Sequence, residues 1–534
     1  MIRITGCLLI ALSAGGAAIA APPGEELFAT SDRCTACHNG VSAPAGEDIS
    51  IGASWQGSMM ANASRDPYWQ ASVRRETMEH AAAGGAIEDE CAACHMPMAR
   101  VAAAAGGGRG AVFAHLPIAP ARGEEDALAA DGVSCTMCHQ ITADKLGTEE
   151  SFTAGFTVDV QKPAGARAVF GPFEVDRGRT RVMRSSSLFE PAKATHIQKA
   201  AFCATCHTLY THSLGPNGED LGKFPEQVPY LEWRHSAYAG GEDCQSCHMP
   251  EVEAPAPVAS VLGRPHDNVS RHVFRGGNFL MPRIFNLQRV ELNVAALPGS
   301  LAAVERETLA HLAAHTARVK IGEPVLSAGR LDFDVAIVNL AGHKLPTAYP
   351  SRRAWLMVTV RDRAGKTVFS SGALNKDGSI AGNDNDIDGS RYEPHYREVT
   401  QPDQVQIYES VMADRRGEVT TGLLSAVRYI KDNRLLPAGF DKATAEKDIA
   451  VQGGAAEDPD FKDGGDTVRY SVPVDRDDGP FTVDVSLWYQ PIGFRWAHNL
   501  AGRGAAETER FVEYYRAAAQ ESAAKLAADE RGAQ

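Results

Sequence analysis

Beyond about the twentieth residue the sequence has no apolar run approaching the length of a membrane span, so the mature part is read as having no transmembrane segment. Positive charge is also short: 53 Lys and Arg stand against 67 Asp and Glu, a net charge of −14. That balance argues against nucleic acid as a partner and favours basic proteins or positively charged patches, although a plain acidic surface would look the same. No cysteine occurs after Cys247, so the second half can anchor nothing through sulfur. Apolar periodicity is scarce from Pro22 to about Asn286. What remains is ordinary for a globular protein, with 44% hydrophobic and 22% charged residues, and 534 residues suggest three to four domains by length.

The first twenty residues read as a secretory signal. Arg3 supplies the positive start, Leu8 to Ile19 a short apolar stretch, and Ala18-Ile19-Ala20 a cleavage site. Cys7 precedes the apolar run and would be lost with it. The expected location is periplasmic or extracellular.

The ten other cysteines form five C-x-x-C pairs, each followed at once by histidine. They are Cys34-Cys37-His38, Cys91-Cys94-His95, Cys135-Cys138-His139, Cys203-Cys206-His207 and Cys244-Cys247-His248. Cysteines three apart share one face of a helical turn, where both can form thioethers to one porphyrin. The histidine then points at the iron as proximal ligand. Zinc ribbons need no histidine after each second cysteine, disulfide scaffolds belong to smaller secreted chains, and redox C-x-x-C motifs occur singly. Five complete motifs that use every remaining cysteine predict five covalently bound haem c groups.

Motif spacing is irregular, with Gly/Pro-rich loops expected at Ala102–Gly110 and Glu251–Pro257. From Pro298 the pattern changes. Ser300 is placed to cap a helix through Leu301, Val304, Leu309, Leu312 and Val319. Strands are predicted over Leu331–Asn339, Ala354–Val360, Val405–Val411, Val468–Val474 and Phe481–Tyr489. A last helix is predicted over about Ala505–Ala527. The fold class is α+β and multidomain. After a signal at 1–20 comes a helical and loop-rich haem domain at 21–290, then a connecting helix at 291–320. A β-sandwich-like domain at 321–500 and a C-terminal helix at 501–534 complete the chain.

The chain resembles multihaem cytochromes c of the hydroxylamine-oxidoreductase-related type, and among them those with a β-rich C-terminal module. The segments that carry the likeness in the first half are Ser58-Met59-Met60, Arg65-Asp66-Pro67, Gly132-Val133-Ser134, Tyr230-Leu231-Glu232-Trp233 and His272-Val273-Phe274-Arg275-Gly276-Gly277. In the second half they are Gly342-His343-Lys344-Leu345-Pro346-Thr347, Arg352-Arg353-Ala354-Trp355 and Lys431-Asp432-Asn433-Arg434-Leu435-Leu436-Pro437. The resemblance implies electron transfer, haem c and an extracytoplasmic location, and names no substrate. The C-x-x-C-K motif of the active haem in pentahaem nitrite reductases is absent, which argues against carrying that activity over.

A haem iron filled on both faces passes electrons, whereas an open face can bind a substrate. Twelve of the 17 histidines lie outside the motifs, against at most five ligands still needed. The distal candidates are His115, His196, His272 and His343, followed by His80 and Met60. For His343 the alternative is a loop hydrogen bond, with Lys344 or Arg353 pairing a haem propionate. His311 and His315 share a helix face without a third ligand, and Met96 and Met249 are expected to pack on haem. The leading reading is an electron carrier between redox-partner proteins. Its rival is an oxidoreductase acting on a small nitrogen or sulfur compound at one five-coordinate haem. A third reading gives the β module a polymer or mineral surface.

Overall fold

A computed structural model describes residues 26–163 and 165–533; the signal segment and Cys7 lie outside the described residues. In the first half every C-x-x-C-H motif begins on a helix, at Asp32–Thr35, Gly84–His95, Cys135–Cys138, Ala200–His207 and Cys244–His248, although Cys37, His38 and His139 lie just past the ends of theirs. The helix Pro67–Glu79 is fixed at its start by Asp66, whose Oδ1 accepts from the Tyr68 and Trp69 backbone N–H groups at 2.8 and 3.3 Å. Pro67 at the first helical position loses no intrahelical bond. Two loop expectations are adjusted: Ala102–Ala105 finish the helix Pro97–Ala105, and Ala256–Pro257 form a short strand.

The second half contains two five-stranded sheets. One is ordered Thr367–Ser371, Arg353–Arg361, Phe481–Gln490, Ala524–Ala533, with Ile407–Tyr408 also on Arg353–Arg361. The other runs Glu398–Val399, Gly465–Pro473, Arg330–Asn339, Ala317–Ile321, with Val325–Ser327 also on Arg330–Asn339. Leu356 faces Leu487, Val358 faces Val485 and Val360 faces Val483, and all six are buried. In the second sheet Phe333 pairs with Tyr470, their rings 5.4 Å apart and parallel. The alternation along Arg330–Asn339 is the one expected from sequence, with Leu331, Phe333, Val335, Ile337 and Asn339 turned inward.

Two expected helices end early. The helix before the sheets is Pro298–His315, started at Leu297 and not at Ser300, and Val319 belongs to the strand Ala317–Ile321. The last helix is Ala506–Ala518; the chain then closes as the strand Ala524–Ala533, antiparallel to Phe481–Gln490. This strand also meets the other sheet, where the Ile321 N–H donates to Asp529 at 2.8 Å.

One hydrophobic core runs through both halves, from Tyr68, Phe279 and Phe285 to Leu356, Tyr470 and Phe511. The helix Ala506–Ala518 lies on Pro67–Glu79, with Phe511 4.9 Å from Tyr68 and Arg74 paired twice to Glu507 at 2.9 Å. Phe511→Ala should therefore cost about 3–5 kcal/mol. Circular dichroism and haem absorbance should lose their native signals in one shared transition. Two separate transitions would mean that the halves unfold independently.

Candidate functional site: a cavity lined by all five motifs

Between the helices and the sheets lies one connected cavity of about 1300 Å³. Its wall contains all ten motif cysteines and all five motif histidines. The cysteines are free thiols, and three pairs from different motifs are neighbours whose titrations are linked: Cys34 with Cys135, Cys94 with Cys206, and Cys203 with Cys244. The first motif thus abuts the third, the second abuts the fourth, and the fourth abuts the fifth.

The motif imidazoles are oriented for metal binding. His38 Nδ1 lies 2.7 Å from the Val258 carbonyl, His95 Nδ1 3.0 Å from Ala63, His139 Nδ1 2.5 Å from Phe170 and His248 Nδ1 2.5 Å from Arg275. A carbonyl at Nδ1 holds the proton there and leaves Nε2 as the free electron pair. Burial pushes the His95 and His248 imidazoles down to about 4, so both are neutral at pH 7. His95 also stacks on Trp69, 4.4 Å away and 4° from parallel.

Two candidate distal histidines face motif histidines across the cavity. His272 lies 6.4 Å from His139 and His343 lies 6.2 Å from His248, centre to centre, with interplanar angles of 19° and 18°. A metal–imidazole bond of about 2 Å on each face of one ion puts two ring centres roughly 6 Å apart. Rings in van der Waals stacking would lie closer. His343 Nδ1 is bonded to the Lys344 carbonyl at 2.9 Å, which again leaves Nε2 free.

The other candidates are placed differently. Met60 lines the cavity. His115, His196 and His80 are absent from its wall. His115 Nδ1 is held by Asp126 at 2.8 Å, His196 Nε2 by the Ile141 carbonyl at 2.8 Å, and His80 Nε2 by the Ser425 hydroxyl at 3.1 Å. The two latter contacts use the nitrogen an iron would need. Lys344 and Arg353 do not reach the cavity, because Asp432 and Asp386 take them at 2.7 and 2.8 Å. Arg352 lines it instead. Met249 is on the wall, while Met96 is buried in a separate apolar cluster with Met98 and Val112.

Several residues that line the cavity were not among the candidate ligands read from sequence. His266 stacks on Phe173 at 4.2 Å, and His311 and His315 join the wall from the helix before the sheets. Glu76, Glu90, Glu226 and Tyr349 also line it.

A crystal structure of a penta-heme cytochrome c552 from Thermochromatium tepidum superposes on the chain with a TM-score of 0.55 at 15% identity, covering 95% of this chain and all of that one. The chain shares a multihaem cytochrome fold. No family matches the sequence, and no curated protein does. Two glycines in the segments that carry the sequence resemblance have local reasons for being glycine. Gly132 has φ +63° and a side chain there would meet the Met60 carbonyl at 2.6 Å, while one at Gly277 would meet the Tyr489 hydroxyl at 2.6 Å.

The residues present fit covalent haem. Each motif offers two thiols three residues apart and an imidazole on the same apolar space, and in four of the five a carbonyl at Nδ1 leaves Nε2 free. No helix among the described residues is long and apolar enough to cross a membrane.

Proposed function

We propose that the chain is an exported pentahaem c-type cytochrome that moves electrons between redox-partner proteins. The observation that carries this reading is the convergence of ten cysteines and five histidines on one cavity. When bound, haem supplies one-electron chemistry. The chain's own part is to hold each group by two thioethers and a histidine from Cys34/Cys37/His38 through Cys244/Cys247/His248. His139 with His272, and His248 with His343, are the histidine pairs that would hold two of the irons. The neighbouring cysteines of different motifs would place the first group beside the third, and the fourth beside both the second and the fifth.

Intact mass of protein made in a host competent for haem attachment should exceed the apo-chain mass by five haems. Four or fewer would overturn the count, and none would overturn the reading.

One observation favours the oxidoreductase as a second reading. Among the described residues, His38, His95 and His207 have no imidazole facing them at the axial spacing seen for His272 and His343. An open iron at one of these would bind a small nitrogen or sulfur compound. Ferric spectra with a high-spin fraction that responds to cyanide would select this reading; fully low-spin spectra would select the carrier.

A further inference from the structure

The wall near the second motif carries an unusual load of acid. Glu76 comes from the helix Pro67–Glu79, Glu90 from the motif helix Gly84–His95, and Glu226 from the strand Asp220–Gln227. All three line the cavity, and Glu76 and Glu226 are 5% exposed. Glu90 directly precedes Cys91 on its helix, and Glu76, Glu90 and Glu226 are all within electrostatic reach of the Cys91 sulfur. Beside them the Thr211 hydroxyl and Glu90 Oε1 are buried without a hydrogen-bond partner, and both residues face the cavity. Unpaired buried polar atoms are costly, and here they mark a place built to exchange a proton.

We propose that Glu226, with Glu76 and Glu90 beside it, binds the proton that accompanies reduction of the haem carried by Cys91 and Cys94. The inference rests on the haem reading above. One electron arrives at the iron from a donor protein or dithionite, and one proton from solvent forms the O–H bond on the carboxylate. Reoxidation releases both.

The surroundings of each acid explain why Glu226 is the acceptor. Glu76 is tied to the Leu423 and Leu424 backbone N–H groups at 2.9 and 3.3 Å, and Arg75 from its own helix offsets its charge. Glu79, paired with Arg75 and Arg503, pushes the other way, and His80 lies 3.9 Å off. Glu90 has His212 at 3.6 Å. Glu226 receives one neutral bond, from Gln227 at 3.1 Å, and its leading influences are burial, Cys94, Glu90 and Glu76. Tyr349, with Tyr68 next to it, faces Glu226 and Glu76 from the loop after His343, and burial keeps both phenols neutral. Tyr429 binds the Glu226 backbone carbonyl at 3.2 Å and fixes the strand. Burial leads in pushing the carboxyls up, Glu226 to about 8 and Glu76 to about 7. Haem attachment takes the Cys94 thiol out of play and leaves burial and the two acids.

The test is a spectroelectrochemical titration of the haem-loaded protein from pH 5.5 to 9.5. In the wild type one haem potential should fall with rising pH, approaching about 59 mV per unit, the slope of one proton per electron. Glu226→Gln should flatten that slope and leave the other four potentials unchanged. An unchanged slope in the variant would overturn the assignment. If Glu226→Gln does not fold, reduced-minus-oxidised infrared spectra of the wild type decide: a protonated-carboxyl band that appears on reduction and shifts in D2O supports the proposal. Its absence overturns it. Haem that reduces normally with pH-independent potentials sinks this inference alone; a chain without haem sinks the functional reading as well.

Discussion

His343→Ala is expected to turn one haem from low to high spin while all five stay covalently attached. On the proposed haem reading the thioethers would not involve the distal side, so mass would be unchanged, while the iron held by His248 would lose His343. A new high-spin band accounting for about one haem in five, and cyanide binding at that site, are the expected signs. Protease resistance should not change, because the shared core and the Arg74–Glu507 pair join the halves without His343. A wild-type spectrum would remove His343 from the ligand set.

Lys344→Met should destabilise the fold as much as the loss of a large core side chain. Lys344 is fully buried beside His343 and donates to Asp432 at 2.7 Å. Asp432 also takes Arg434 at 2.8 and 2.9 Å, and Arg434 reaches Glu232 at 2.9 Å. The Lys344 backbone N–H closes the loop on Glu232 at 3.1 Å. Two cations and two acids balance across the joint between the halves. Removing one cation strands a buried carboxylate, at a cost of about 3–5 kcal/mol. Denaturant midpoints should fall accordingly, and adding Asp432→Asn should recover part of the loss. A single variant within about 0.5 kcal/mol of wild type would mean that water reaches the cluster. The pH dependence has a definite sign. Arg434 and Lys344 hold the Asp432 carboxyl far below its ordinary range, against burial, which opposes them. Its contribution is therefore fully present above the unfolded value of about 3.9 and is lost only as pH falls toward the depressed folded value.

What could be read from sequence depended on whether the signal was local. The C-x-x-C-H motifs are complete within five residues, and Arg330–Asn339 and Phe481–Gln490 show the period of a half-buried strand, so both were legible. Ala524–Ala533 contains Ala, Lys, Glu and Arg, a helical composition, and becomes a strand only because Phe481–Gln490 offers it a free edge. Its charges suit an edge position. Among the distal candidates, His272 and His343 face motif histidines, whereas His196 and His115, which precede the fourth and third motifs in sequence, do not. Nearness along the chain does not set the direction of a ring, and Ile141 and Asp126 claim those two. The acids of the second motif come from three elements spread between residues 76 and 226, so no window of sequence contains them together.

The order in which the chain is made gives the terminal strand a further meaning. All five motifs end by His248, whereas the cavity wall that shuts over them draws on residues 304–492, and the strand at 524–533 sews the two sheets together afterwards. A polypeptide emerging from its N-terminus therefore presents every attachment point before the segments that cover it exist. On the haem reading, loading needs no opening of a finished protein, because every attachment point is made before the second half.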